Sequence, residues 1–128
     1  MNCAVPLEPV PDRPVLTPEG LELLTDDVGR QSARGFLATY LRLLPSRADG
    51  IVKKLADGDV EGARKAVSSL HVTSSMAGAL KLEDYCQYLQ QQLSLGRIPN
   101  AEAVKAQLSR HVSQLGPAIR LLLGEQTS

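Results

Sequence analysis

Residues 58–89 read GDVEGARKAVSSLHVTSSMAGALKLEDYCQYL, and the punctuation of this stretch decides the fold. Gly58-Asp59 is a helix stop followed by a helix cap. Glycine accepts the left-handed backbone that ends one helix, and the aspartate oxygen accepts from the free N–H groups that open the next. Beyond the cap, Ala63, Ala66, Val67, Leu70, Ser74 and Ala77 recur at mainly three- and four-residue intervals, which is the period of a helix with one apolar face. That face is built from small side chains, so a neighbouring helix can approach closely. Gly78 ends this helix. Leu82, Cys86, Leu89 and Leu93 mark the inner side of the following one, which stops at Gly96. Long amphipathic helices joined by turns this short pack as antiparallel neighbours.

The same grammar extends in both directions. Thr17-Pro18-Glu19 opens a short helix: threonine caps it, proline fits the first turn, and the acid complements the helix dipole. Leu21, Leu24 and Val28 form its face, and Gly29 is its stop. From about Gln31 to Ala56, the residues Leu37, Tyr40, Leu41, Leu44, Ile51, Val52 and Leu55 line one side, with Phe36 at its edge. Pro45 and Gly50 interrupt this stretch and predict either a kinked long helix or two stacked short ones. Asn100 caps a last helix carrying Val104, Leu108, Val112, Leu115, Ile119 and Leu122, which Gly116-Pro117 should bend or break. The expected fold is all-α: an antiparallel four-helix bundle with a short N-terminal capping helix, over residues 17–124. A Pro-rich extended arm, residues 1–16 with Pro6, Pro9, Pro11 and Pro14, precedes it, and a short tail, 125–128, follows.

Composition narrows the function. Aromatics are 3% of the chain while apolar residues are 43%, so Leu, Ala and Val must build the core, as helices packed on helices do. Fourteen basic and fourteen acidic side chains cancel, which argues against a nucleic-acid partner. The two Cys and two His, at positions 3, 86, 71 and 111, lack the paired spacing of a structural zinc site, so no metal is expected. Cys3 and Cys86 read as reduced cytosolic thiols, and no apolar run is long enough to span a membrane. The start of the chain lacks the pattern of a secretory signal. A cytoplasmic helical domain follows, in which histidine chemistry rests on His71 or His111.

Within the opening stretch, Gly58-Asp59, the run from Ala66 to His71, Thr73-Ser74, Gly78-Ala79, Leu82, Cys86 and Leu89 resemble the histidine-containing phosphotransfer (HPt) domain of two-component phosphorelays. In that family a Gly-Asp cap opens a helix bearing H-x-L-K-G-S-S. A Gly-Ala turn follows ten residues after the histidine, and the next helix has Leu, often Cys, then Leu. Aligned without gaps, Asp59, Leu70, Ser74, Gly78, Ala79, Leu82 and Cys86 all fall on family positions. Ser68 then takes the place of the phosphorylated histidine, His71 that of the usual lysine, and Val72 that of the usual glycine. Bringing His71 onto the active position requires two compensating three-residue shifts. The resemblance implies a response-regulator receiver domain or a histidine kinase as partner, with no nucleic acid, no membrane and no cofactor of its own. Any magnesium would be the receiver's. It implies a phosphocarrier or docking protein rather than an enzyme, monomeric or weakly dimeric.

Helix geometry gives each register a meaning. At 100° per residue, Ser68 lies about 160° and His71 about 100° from the buried Leu70. Arg64, Ser68, His71 and Ser75 therefore form one polar band, with Lys65 and Val72 alongside. His71 is the candidate phosphoacceptor, because a neutral imidazole is a nucleophile near pH 7. Arg64, Lys65, Ser68, Val72 and Ser75 are the candidate partner-binding residues. Three readings stay open: transfer through a displaced His71, a docking protein that has lost transfer, and a helical-bundle adaptor or oligomerisation domain with no phosphorelay role. His111 reads as a boundary residue, Cys86 as a core residue and Ser74 as a spacer. Glu83 and Asp84 point in different directions on their helix.

Overall fold

A computed structural model of the chain describes residues 13–124. Residues 1–12, most of the expected arm, and 125–128, the expected tail, lie outside the described residues. Five helices follow in order: α1 (Pro18–Val28), α2 (Arg30–Ala56), α3 (Val60–Ala77), α4 (Leu80–Ser94) and α5 (Ala101–Leu123). No strand occurs among the described residues. The caps are those that the sequence announces. Thr17 Oγ1 accepts from the Glu19 N–H at 3.3 Å, Asp59 Oδ1 from Gly62 at 2.9 Å, and Asn100 Oδ1 from Ala103 at 2.9 Å.

The two internal prolines do not break their helices. α2 runs unbroken through Pro45 and Gly50, and α5 through Gly116 and Pro117. Both prolines are exposed and line one shallow depression between α2 and α5, with Leu41 and Ser113. The carbonyls of Leu41 and Ser113, four residues earlier, lose their helical donors to the prolines. Both prolines sit on the exposed side of their helices, where a freed carbonyl is not sealed in the core.

α2 packs on both α3 and α5, α3 on α4, and α4 on α5, while α1 lies against α2 and α3. The core between them is aliphatic: Leu37, Leu44, Ile51, Val67, Leu70, Leu82, Leu89, Leu108, Leu115 and Ile119 are fully buried. One polar pair is sealed inside it. The Tyr40 hydroxyl and Ser74 Oγ lie 2.8 Å apart, joining α2 to α3. Burial pushes the Tyr40 phenol far above its ordinary value, so it stays a neutral hydrogen-bond group. Ser74 is thus a bonded core residue as well as a small one. Tyr40→Phe removes one partner and strands the other, and is expected to cost about 1–2 kcal/mol in urea unfolding. An unchanged midpoint would contradict that role.

α1 buries no residue completely; Leu21 packs on the edge of the core, and backbone contacts hold its start. The Thr17 N–H donates to the Gly78 carbonyl at 2.9 Å, and Gly20 lies directly against Gly78, the left-handed residue (φ 80°) that ends α3. Before α1, Val15 and Leu16 pack on the core, and the Arg13 guanidinium reaches both Glu83 and Asp84 of α4.

Candidate functional site

α3 carries every candidate residue, and the packing of its flanks sorts them. Val67, Leu70, Ser74 and Ala77 face inward. Arg64, Lys65, Ser68, Val72 and Ser75 are exposed, whereas His71 is only half-buried. The half-burial follows from position: Arg64, Ser68, His71 and Ser75 run along the flank of α3 that borders α4, and His71 is the member of that stripe closest to the core face.

Two shallow surfaces meet on this helix. A groove of about 360 Å³ between α3 and α4 is lined by Arg64 and Ser68 on one wall and Gln87, Gln90, Gln91 and Ser94 on the other. On the opposite side of the same ridge, an open depression is lined by Glu61, Arg64, Lys65, Ser68, Ser69, Val72 and Thr73. Arg64 and Ser68 border both, so Ser68 stands at the crest of the exposed face. His71 and Ser75 line neither. The structure therefore joins Arg64, Lys65, Ser68 and Val72 and leaves the imidazole one turn away.

Two side-chain hydrogen bonds lie along the ridge. Thr73 Oγ1 donates back to the Ser69 carbonyl at 3.1 Å, and the Arg47 guanidinium of α2 donates to Ser69 Oγ at 3.2 Å. Among the described residues, no hydrogen bond or ion pair engages the side chains of Arg64, Lys65, Ser68 or His71. One residue of the face escaped the sequence reading. Met76 is 43% exposed beside Val72 at 52%, one turn apart, which makes an apolar pair on the outer surface. Its spacing from Val72 was the available signal.

The remaining chemistry is structural. Cys86 is sealed in the core, and burial pushes its thiol up to about 12, which makes it unreactive. His111 stacks on Tyr85 at 5.5 Å, and Tyr85 on Tyr88 at 6.0 Å, so the three rings form a short ladder across α4 and α5. Burial, helped by Lys81 and Arg110, holds the His111 imidazole below its ordinary range. Among the described residues, no group of three or more His, Cys, Asp or Glu is arranged to hold a metal, and no helix is long and apolar enough to cross a membrane.

No family model matches the chain, and no curated protein matches it. Its architecture does have a counterpart. The crystal structure of histidine-containing phosphotransfer protein B (HptB) from Pseudomonas aeruginosa PAO1 superposes with a TM-score of 0.77, over 89% of this chain and 98% of that one, at 22% identity. The chain has the HPt fold. In this HPt fold, the band read from the sequence divides into an exposed crest at Ser68 and a half-buried His71, with the apolar pair Val72 and Met76 beside them.

Proposed function

We propose that the protein is a phosphorelay docking module: it binds the receiver domain of a response regulator, or a histidine kinase, through the exposed ridge of α3, and it no longer carries the phosphoryl group. The observation behind this reading is the position of Ser68. It stands at the crest of an HPt-like surface, at the place where the gapless register puts the family's phosphoacceptor. A serine hydroxyl needs a general base to become a nucleophile, and none lies within hydrogen-bond reach among the described residues. A phosphate ester on serine would also hold its phosphoryl group too firmly to return it to an aspartate.

The rest of the surface suits docking. Val72 and Met76 offer an apolar contact, and Arg64 and Lys65 offer positive charge to an acidic partner. The contacts of α2 with α3 and α5, and of α4 with both of those, support an antiparallel four-helix bundle capped by α1, a rigid platform for such a face. In this reading the protein is cytoplasmic, a monomer or weak dimer, needs no cofactor and is not an enzyme.

The half-exposure of His71 favours one second version. There, a ring nitrogen of His71 attacks the phosphorus of the receiver's aspartyl phosphate. The N–P bond forms as the acyl O–P bond breaks, and the aspartate leaves as carboxylate. The receiver supplies the magnesium.

Docking is tested by calorimetric titration against the receiver domains of the source organism. Val72→Asp places an unpaired charge in the contact and should weaken binding more than tenfold, about 1.4 kcal/mol or more. Equal binding by the variant would remove this face from the interface. No binding by any receiver would replace the reading with that of an adaptor.

A further inference from the structure

The seam between α2 and α5 lies across the bundle from the α3–α4 groove, because α2 packs on α5 as α3 packs on α4. α1 closes one end of it. The depression there is lined by Glu22 and Asp26 of α1, Arg30 and Arg34 of α2, and Leu122 of α5. An acidic helix therefore already faces arginines at that end. Beyond Arg34 the seam runs on uncovered as two depressions of about 430 and 250 Å³, which share Pro45, Val112 and Ser113.

The uncovered length has an apolar floor and a basic rim. Leu41, Pro45, Val112 and Pro117 line the part nearer α1, with Arg42 on one helix and Arg120 on the other. Lys105 lies further along, with Asp49 as the one acid in the lining. Gly116 has no side chain to hold the Arg120 guanidinium off α5; a Cβ there would lie 3.2 Å from its Nη1. The cation is thus laid along the seam. Among the described residues, no acid pairs with Arg42, Lys105 or Arg120.

The outer face of α1 has the complementary character. Glu19, Glu22, Leu23 and Asp26 share one side of that helix, and α1 holds no basic residue to offset its acids. Leu23 is 68% exposed, more than any other large apolar side chain among the described residues. The 11 residues of α1 span about 16 Å, and the uncovered seam from Ala38 to Val52 spans about 21 Å.

We propose that the uncovered α2–α5 seam receives α1 of a second copy of this chain. Leu23 of that copy lies on the floor formed by Pro45 and Pro117, and its acids meet Arg42 and Arg120. Face and seam adjoin in each copy, since Glu22 and Asp26 border the covered end. A twofold axis beside Arg34 and Leu122 then lets each copy give its α1 and take the other's, so the contact closes as a dimer. The α3 ridge stays free, and the dimer forms whether or not a receiver docks there.

Sedimentation equilibrium of the full chain, without any partner, tests this. The unaltered protein should show a concentration-dependent dimer that weakens as salt is raised. Arg42→Glu/Arg120→Glu and, separately, Glu19→Lys/Asp26→Lys should each weaken self-association about tenfold or more. Mixing the two variants restores opposite charges at both contacts, so a dimer with one copy of each should form. A monomer at every concentration would overturn the proposal, as would a dimer that both variants leave intact. So would a mixture that fails to associate although both variants keep the circular dichroism of the unaltered protein.

Discussion

Gly78→Ala is expected to be the most damaging single methyl added to this protein. Gly78 has φ 80°, a left-handed conformation that costs an ordinary residue about 1–2 kcal/mol. Its new Cβ would also lie 2.8 Å from the Thr17 carbonyl oxygen and 3.2 Å from Gly20 Cα, both backbone atoms. Overpacking of this kind adds about 1–3 kcal/mol, so the total loss should be about 3 kcal/mol. Gly20→Ala meets the same wall from the other side, with its Cβ 2.7 Å from Gly78 Cα, and should lose the docking of α1 without any backbone strain of its own. Urea unfolding of both variants measures the two effects. A loss below about 1 kcal/mol in Gly78→Ala would mean that α1 is not seated on the turn.

The second large effect is a gain. Ser68→His combined with His71→Lys and Val72→Gly rebuilds the family's H-x-L-K-G run on this helix. The imidazole at position 68 would stand on the exposed crest beside Arg64, whose cation favours the added phosphate charge. With His71 replaced, any acid-labile label formed from a phosphorylated receiver belongs to the new histidine. The expected result is label in the triple variant and none in His71→Lys/Val72→Gly. The two helix-surface changes cost little, since Gly for Val in an exposed helix interior is worth about 0.5 kcal/mol. Failure of the triple variant to accept phosphate, while it still binds the receiver, would argue that Ser68 does not stand at the transfer position.

Most of the fold was legible because its signals are local. Thr17, Asp59 and Asn100 cap, Gly29 and Gly78 end helices, and the three- to four-residue spacing of apolar residues around Leu37, Leu44, Leu70, Leu89 and Leu108 places the core. What the sequence could not show were meetings between distant residues. Gly20 looks like a neutral glycine inside a short helix until Gly78 is seen against it. Ser74 looks like a spacer until Tyr40 is found 2.8 Å away. Glu83 and Asp84 point apart along their helix, yet one long guanidinium reaches both. The prolines left open a choice between a continuous and a divided helix: Pro45 and Pro117 both face outward, and α2 and α5 each run on as one helix.

The site was legible as a stripe but not as a surface. Periodicity puts Arg64, Ser68, His71 and Ser75 on one side of α3. The angle from Leu70 already separates a half-buried His71 from an exposed Ser68, but only the structure shows that Arg64 and Ser68 border a groove with α4. Met76, four residues after Val72, joins it on the outer surface, where it is 43% exposed.

The central claim is that the HPt platform remains while its phosphoryl transfer is gone. The most direct measurement is incubation of the unaltered protein with a cognate receiver carrying labelled aspartyl phosphate, followed by recovery of the complex and an acid-lability assay. The account predicts a complex that Val72→Asp disrupts and no acid-labile label on the protein. Acid-labile label that disappears in His71→Ala would contradict it and make His71 the working phosphoacceptor.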